Sequence, residues 1–280
     1  MTAKALRENG FRTFLYFSVA VGLLALGALL VRVFSDGFGF LDGVLFSNPP
    51  STNPDRAGAR PAILATIWLL GLVFLMAVPG GIATAIWLEE FAKKERWYNR
   101  FLELNIQNLA GVPSIVYGIL GLAFLVRGVG LGRVLLAGAM ILALLVLPTV
   151  IISSREALRA VPDSIRQGGL ALGATRWQVT FRSVLPAALP GIATGSILAL
   201  SRAIGESAPL VLIGALTYVA FDPSPLNAFT ALPVQIFQWI GQPQKEFKLL
   251  AAAAIIVLLG ILLTMNAAAI LLRNKFQRKW

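Results

Sequence analysis

Five stretches of this chain run for about 20 residues or more without an Asp, Glu, Lys or Arg, and charged residues stand at or beside the ends of each. They are Thr13–Val31, Ala62–Leu88, Leu104–Val126, Val134–Ser154 and Leu249–Leu272. A helix of that length spans the hydrocarbon core of a bilayer, about 30 Å thick. A sixth stretch, roughly Leu185–Val219, is long enough but is interrupted by Arg202 and Glu206. The pattern predicts an all-α membrane protein with six transmembrane helices. Only 13% of the 280 residues are charged, against roughly a quarter in a soluble domain. The first stretch exceeds the 7–15-residue apolar run of a signal peptide and lacks a small-x-small cleavage site, so it reads as a membrane helix.

The net charge of +11 invites a nucleic-acid reading, but the distribution of cations answers it. Sixteen Lys and Arg fall in the N-terminal tail (Lys4, Arg7, Arg12), the loop after the second span (Lys93, Lys94, Arg96, Arg100), the loop after the fourth (Arg155, Arg159, Arg166, Arg176, Arg182) and the C-terminal tail (Arg273, Lys275, Arg278, Lys279). The opposite side has seven, counting Arg32. The positive-inside bias therefore predicts both termini in the cytoplasm. The excess charge is topology, and no nucleic-acid partner is expected. The chain has no Cys and no His, which excludes disulfides, thiolate chemistry, His-ligated metals and Ser-His-Asp triads. On the outer side, Ser35–Arg60 reads as an irregular loop rich in Gly, Pro, Asn and Ser. Within the outer segment Ala220–Phe247, Leu232–Ile240 predicts a short surface helix.

The cytoplasmic segment between spans four and five carries clear helix punctuation. Ser164-Ile165-Arg166-Gln167 and Thr175-Arg176-Trp177-Gln178 both fit a capping box, and Gly173 fits a left-handed helix terminus. Two short helices at an angle are expected, with Pro186 and Pro190 following near the start of the fifth span. By pattern alone this is equally an interfacial hairpin that merely joins two spans.

Gln167-Gly168-Gly169-Leu170-Ala171-Leu172-Gly173-Ala174-Thr175 through Leu185-Pro186 resembles the EAA loop of binding-protein-dependent ABC importer permeases. Gly173, Leu185 and Pro186 match at the family spacing. Gln167 stands in place of the Glu, Gly168 and Gly169 in place of the two Ala, and Ser183 in place of an apolar residue. Leu109-Ala110-Gly111-Val112-Pro113-Ser114-Ile115-Val116-Tyr117-Gly118, Arg202 through Leu210, and Ala231 through Phe237 resemble the PstA-type permease of phosphate importers rather than its PstC-type partner. The resemblance implies the type I, MetI-like importer permease fold, with a transmembrane domain over residues 61–280 and a coupling loop at about 155–186. Residues 1–60 then supply the tail, first helix and outer loop. It also implies that Gln167, Gly168, Gly169, Gly173, Ala174, Leu185 and Pro186 belong to the surface that docks on an ATPase. Implied partners are a PstC-like permease subunit, two PstB-like ATPases and a PstS-like extracytoplasmic phosphate-binding protein, in a bacterial inner membrane. No cofactor is expected on this chain, because Gly-x-x-x-x-Gly-Lys-Ser/Thr is missing and ATP belongs to the partner.

Arg202 and Glu206 lie near the middle of the fifth stretch, four residues apart and thus on one helix face. Each would cost about 2.5–3.5 kcal/mol at a lipid-facing bilayer centre. The plainer reading is an ion pair used in assembly. The functional reading is a polar translocation path, in which the guanidinium meets phosphate oxygens bidentately and the carboxylate keeps the anion from staying. In the third span Ser114, beside Pro113, is the further path candidate, while Asn108 and Tyr117 read as structural. Pro79-Gly80-Gly81 and Pro148 are candidate hinges or packing kinks. The same residues admit two other functions. An importer of another oxyanion, sulfate or molybdate, is not separated by charge. An intramembrane lipid-modifying enzyme would need several acids or His at one membrane face; the acids near the faces here read as scattered, and no second carboxylate accompanies Glu206 in the bilayer.

Overall fold

The computed structural model describes residues 3–93, 95–215 and 218–276. Of the cations counted above, Lys94, Arg278 and Lys279 lie outside the described residues, as do the side chains of Lys4, Arg7 and Lys275. The helices are α1 (Ala3–Gly37), α2 (Gly43–Ser47), α3 (Arg60–Ile86), α4 (Trp97–Ala110), α5 (Ser114–Gly121), α6 (Leu135–Arg159), α7 (Asp163–Ala171), α8 (Arg176–Val179), α9 (Leu185–Gly205), α10 (Ala208–Leu212), α11 (Leu232–Ile240) and α12 (Lys245–Phe276). Wide π-helical turns extend α3 through Trp87–Phe91 and α5 through Leu122–Gly128, and join α8 to α9 over Thr180–Val184. Among the described residues no segment forms a β-strand.

Five helices are long and apolar enough to cross a membrane, and α4 with the extended α5 makes a bent sixth. The third span differs from the continuous helix its sequence predicts. It breaks at Gly111-Val112-Pro113 with a bend of 104°, because Pro113 has no N–H to give and pushes Val112 out of the helical region. The Tyr117 hydroxyl donates to the Leu109 carbonyl at 2.8 Å, pinning the two halves. Pro79 and Pro148, by contrast, lie inside α3 and α6, which run through them.

Helix α6 is the hub. It packs against α3 and α9, and the apolar window of α6 is two-thirds buried, while that of α1 is wholly exposed. One apolar cluster joins α3, α6, α9 and α10 around Val73, Ile141, Val146 and Leu210. A second, at the basic end of the bundle, gathers Ile86, Leu158, Val184 and Ile192. The third, at the opposite end, holds Leu45, Leu232, Trp239 and Leu250. That third cluster corrects the expectation of an irregular loop over Ser35–Arg60. Asp42 caps α2 by accepting from the Leu45 N–H at 3.0 Å, and Ala57 and Ala59 are buried against it. Helix α11 forms over the residues expected of it.

The close packing of α9 on α6 rests on small residues. A Cβ added at Gly191 would lie 2.7 Å from Ala157 Cβ, and one at Gly195 would overlap Ser153. These pairs set an antiparallel register, which Ala203 and Leu142 continue by lining one small cavity. At 1.5 Å per residue, Leu142 lies roughly 10 Å from the Leu135 end of α6 and roughly 25 Å from the Arg159 end.

Candidate translocation path and coupling surface

Two interruptions of the helical backbone meet inside the membrane-spanning layer. Helix α9 stops at Gly205, with Glu206 extended, and the chain resumes as α10 after Ser207. Arg202 therefore sits in the last turn of α9 and Glu206 just beyond it, a correction to the mid-helix position expected for both. Glycine and the following Ser207-Ala208-Pro209 end the helix where continuous periodicity had suggested one long span. The register with α6 still places the pair deep in the bilayer. The second interruption is the α4–α5 break. A Cβ added at Gly118 would lie 2.8 Å from Pro209 Cα, so α5 and α10 touch along one line. Ser114 lies one turn before Gly118 on the same face of α5 and is half-buried. Irregular backbone at membrane depth is tolerated where it is enclosed by protein or lines a polar cavity.

Arg202 Nε donates to Glu206 Oε1 at 3.3 Å. The pair is unequally exposed, at 47% for the Arg202 side chain and 18% for Glu206. The guanidinium thus keeps donors free on its open side while the carboxylate is held beneath it. Tyr117 lies within electrostatic reach of Arg202. Its hydroxyl is committed to Leu109, which keeps the structural role expected of it. The geometry offers an anion one exposed cation, opposed by one shielded carboxylate.

The second site lies at the basic end. Helix α7 starts at Asp163, directly after Pro162, and no side chain caps it. The capping box expected at Ser164 is therefore absent, because Pro162 already turns the chain from extended to helical and leaves Ser164 inside the first turn. The second box is present: Thr175 Oγ1 accepts from the Gln178 N–H, and Gln178 Oε1 accepts from the Thr175 N–H. Gly173 has φ +83°, a conformation that side-chain-bearing residues rarely adopt. Gly169 faces Val179, whose Cγ2 would lie 2.7 Å from an added Cβ, so a small residue is what lets α7 close on α8. Gln167, Gly168 and Gly173 are exposed, Gly169 and Ala174 half-buried. Leu185 and Pro186 open α9 at half-buried positions. The most exposed apolar group here is Leu172, at 90%. Beside it, exposed Trp177 stacks against Phe181 and Phe91 at 4.1 and 5.9 Å.

Sequence reasoning missed what holds α7 in place. The acids that look scattered along the chain converge here. Arg166 Nη2 donates to Glu90 Oε1 at 2.7 Å and to the Leu158 carbonyl at 2.8 Å, and Nη1 donates to the Val161 carbonyl at 2.7 Å. One side chain thus ties α7 to the π-turn after α3 and to two carbonyls at and just beyond the end of α6. The hydrogen bond to Glu90, reinforced by the charges of Glu90, Asp163 and Glu89, raises the Arg166 pKa above its ordinary value despite burial. Behind it, Glu89 pairs with Arg159 at 2.9 Å and Arg155 at 3.5 Å, and Glu103 of α4 pairs with Arg155 at 2.8 Å. The i, i+4 spacing of Arg155 and Arg159, opposite an acidic pair ending a span, is the signal that was available. Every acid in this cluster is matched by a cation, the arrangement of a structural tie rather than of a general acid and base.

The model of the family described as "Binding-protein-dependent transport system inner membrane component" matches residues 77–276. The chain belongs to that family. It is 32% identical over 275 residues to "Phosphate transport system permease protein PstA 1" of Mycobacterium tuberculosis (strain CDC 1551 / Oshkosh), covering 96% of this chain and 90% of the relative. It is 31% identical to "Phosphate transport system permease protein PstA" of Xylella fastidiosa (strain Temecula1), covering 91% and 88%. Its fold is similar to that of a bacterial ABC transporter involved in alginate import, with a TM-score of 0.61, 18% identity and coverage of 95% and 98%. The permease is thus a multi-pass inner-membrane protein with the type I importer fold, and the enzyme alternative falls.

Proposed function

We propose that this permease is the PstA-type subunit of an ATP-driven importer of inorganic phosphate, with both termini in the cytoplasm. Support for the substrate comes from relatives named for phosphate transport that align over nearly the whole length of both chains. The observation that carries the site is an exposed cation at membrane depth beside two broken helices. Arg202 supplies the positive potential that a phosphate dianion needs in a low dielectric. Glu206 holds one guanidinium donor and lowers the net attraction, so that the anion leaves as readily as it arrives. Ser114 adds a neutral hydrogen-bonding group at the start of α5.

The segment from α7 to α8 is the coupling surface. Leu172 and Trp177 present apolar area to a cytoplasmic ATPase, and Arg166 carries the resulting displacement into α3 and α6. A PstC-like permease completes the path, two PstB-like ATPases supply the energy, and a PstS-like binding protein delivers phosphate outside. Reconstitution of the complex in liposomes with labelled phosphate tests this reading. ATP-dependent phosphate uptake that excess sulfate or molybdate leaves unchanged is the expected result. Uptake of sulfate or molybdate in preference to phosphate would transfer the same architecture to that anion and overturn the assignment.

A further inference from the structure

A groove of about 260 Å³ opens between α3, α9 and α12. Its walls are almost entirely apolar: Phe74, Val78 and Ile82 on α3 face Leu189, Ile192 and Leu200 on α9. From Ile82 to Phe74 the wall runs roughly 12 Å into the membrane. Two polar groups interrupt it, and both are near the basic end. Arg273 of α12 stands at the mouth, where its Nη1 donates to Thr194 Oγ1 at 3.0 Å and its other donors meet Asn274 Oδ1. Among the described residues it has no carboxylate partner, unlike Arg155, Arg159 and Arg166 nearby. Two residues beyond Thr194, roughly 3 Å deeper, lies Ser196, 6% exposed, whose Oγ is buried and has no hydrogen-bond partner. A buried hydroxyl left unsatisfied costs roughly 1–3 kcal/mol.

The order along the groove is therefore a cation at the membrane surface, a lone hydroxyl just below it, and an apolar channel beneath. A glycerophospholipid has the same order: phosphate, ester carbonyls, acyl chain. Thr194 lies at the level of Ser154 in the α9–α6 register, beside Arg155 and its ion network, so Arg273 is at headgroup depth. We propose that this groove is a binding site for one anionic phospholipid of the leaflet that faces α7. Its phosphate pairs with Arg273, an ester carbonyl accepts from Ser196, and one acyl chain lies between Phe74 and Leu200. A free phosphate ion fits only the mouth, since the apolar channel offers it nothing. Basic pockets between transmembrane helices are a recurring way of holding such headgroups.

The test uses the intact complex in nanodiscs of phosphatidylcholine doped with labelled phosphatidylglycerol, followed by detergent extraction and counting of retained lipid. Wild type is expected to retain about one labelled lipid per copy of this chain. Arg273→Gln should cut retention at least about fivefold, the effect of one basic residue at an anionic surface, while Arg273→Lys keeps most of it. Ala193→Phe, which fills the groove without touching the charge, should release the lipid to a similar extent. Inorganic phosphate at high concentration should not compete. Retention unchanged in both Arg273→Gln and Ala193→Phe overturns the proposal, as does displacement by inorganic phosphate or equal retention of phosphatidylcholine. If Ala193→Phe instead separates this chain from its partner permease, the groove is a subunit contact and the lipid site is refuted.

Discussion

Arg166 hydrogen-bonds α7 both to the turn after α3 and to the end of α6, which makes its removal the most informative perturbation. Arg166→Gln deletes the charge opposite Glu90, whose side chain is 8% exposed, against 20% for Arg166. An unpaired, fully buried charge costs about 3–5 kcal/mol. The pair borders an open cavity of about 740 Å³, so water relieves part of this and about 2–3 kcal/mol remains. The Val161 carbonyl loses its Arg166 donor at about 1 kcal/mol, while the Leu158 carbonyl keeps the Val161 N–H at 3.3 Å. Helix α7 has nine residues, too few to be stable alone, so a loss of this size releases it. The expected phenotype is an assembled complex that still hydrolyses ATP while phosphate moved per ATP falls at least tenfold, the equivalent of about 1.4 kcal/mol. Glu90→Gln combined with Arg166→Gln should do better than Arg166→Gln alone, because no buried charge is then left over. Paired measurements of uptake and ATPase in the same proteoliposomes decide it. Unchanged stoichiometry in Arg166→Gln, with α7 equally resistant to proteolysis, would refute the clamp.

Gly173→Val should uncouple transport by forcing a β-branched residue to φ +83°, at about 1–2 kcal/mol; no atom lies within 4 Å of the added Cβ, so Gly173→Asn should retain most uptake, and equal activity of the two variants would deny a backbone cause. Gly195→Val should displace α9 from Ser153 and lower the yield of assembled complex by gel filtration, with overpacking costing about 1–3 kcal/mol, whereas Gly205→Ala, with nothing within 4 Å, should assemble normally. For the path itself, Arg202→Gln should abolish uptake at unchanged assembly, Arg202→Lys should rescue it in part because a point charge replaces a fork, and Glu206→Gln should slow turnover by leaving the cation unopposed. Wild-type uptake in Arg202→Gln would demote the pair to assembly.

What the sequence made legible follows the range of the forces involved. Apolar length and the placement of Lys and Arg are additive properties of the chain, so the spans around α1, α3, α6 and α12 could be read directly. Gly173 and Thr175-Gln178 were also legible, since both act within four residues. The end of α9 at Gly205 and the severity of the break at Pro113 were not. Each depends on α5 and α10 packing together, with Gly118 against Pro209, a contact that joins distant parts of the chain. The failed box at Ser164 shows the limit of local rules: Pro162 satisfied the same geometric need first. The clamp on Glu90 was hidden for another reason. Its partner Arg166, with the Leu158 and Val161 carbonyls that share it, reaches Glu90 only because the parallel helices α3 and α6 end side by side, Glu89 against Arg155 and Arg159.

Helix α6 also explains how the two sites share one mechanical frame. Its basic end accepts Arg166 through Leu158, with Val161 just beyond it, and carries Arg155 and Arg159 for Glu89 and Glu103. Further along, Ala157 and Ser153 receive Gly191 and Gly195 with no side chain between the helices. Such close contact leaves little room for independent sliding, so a displacement imposed on α7 is passed to α6 and thence to α9. At the far end of α9 the backbone is no longer helical, and Glu206 lies on the hinge side of Gly205 while Arg202 lies on the rigid side. Because the break lies between the two residues, motion of α9 against α10 changes the 3.3 Å separation of this pair. Parting the two charges strengthens the field of Arg202 on an anion, and closing them weakens it. On the function proposed above, the pair is placed where coupling-helix displacement becomes a change in affinity. On the same reading, the glycine contacts of α9 with α6 serve that conversion together with the charges.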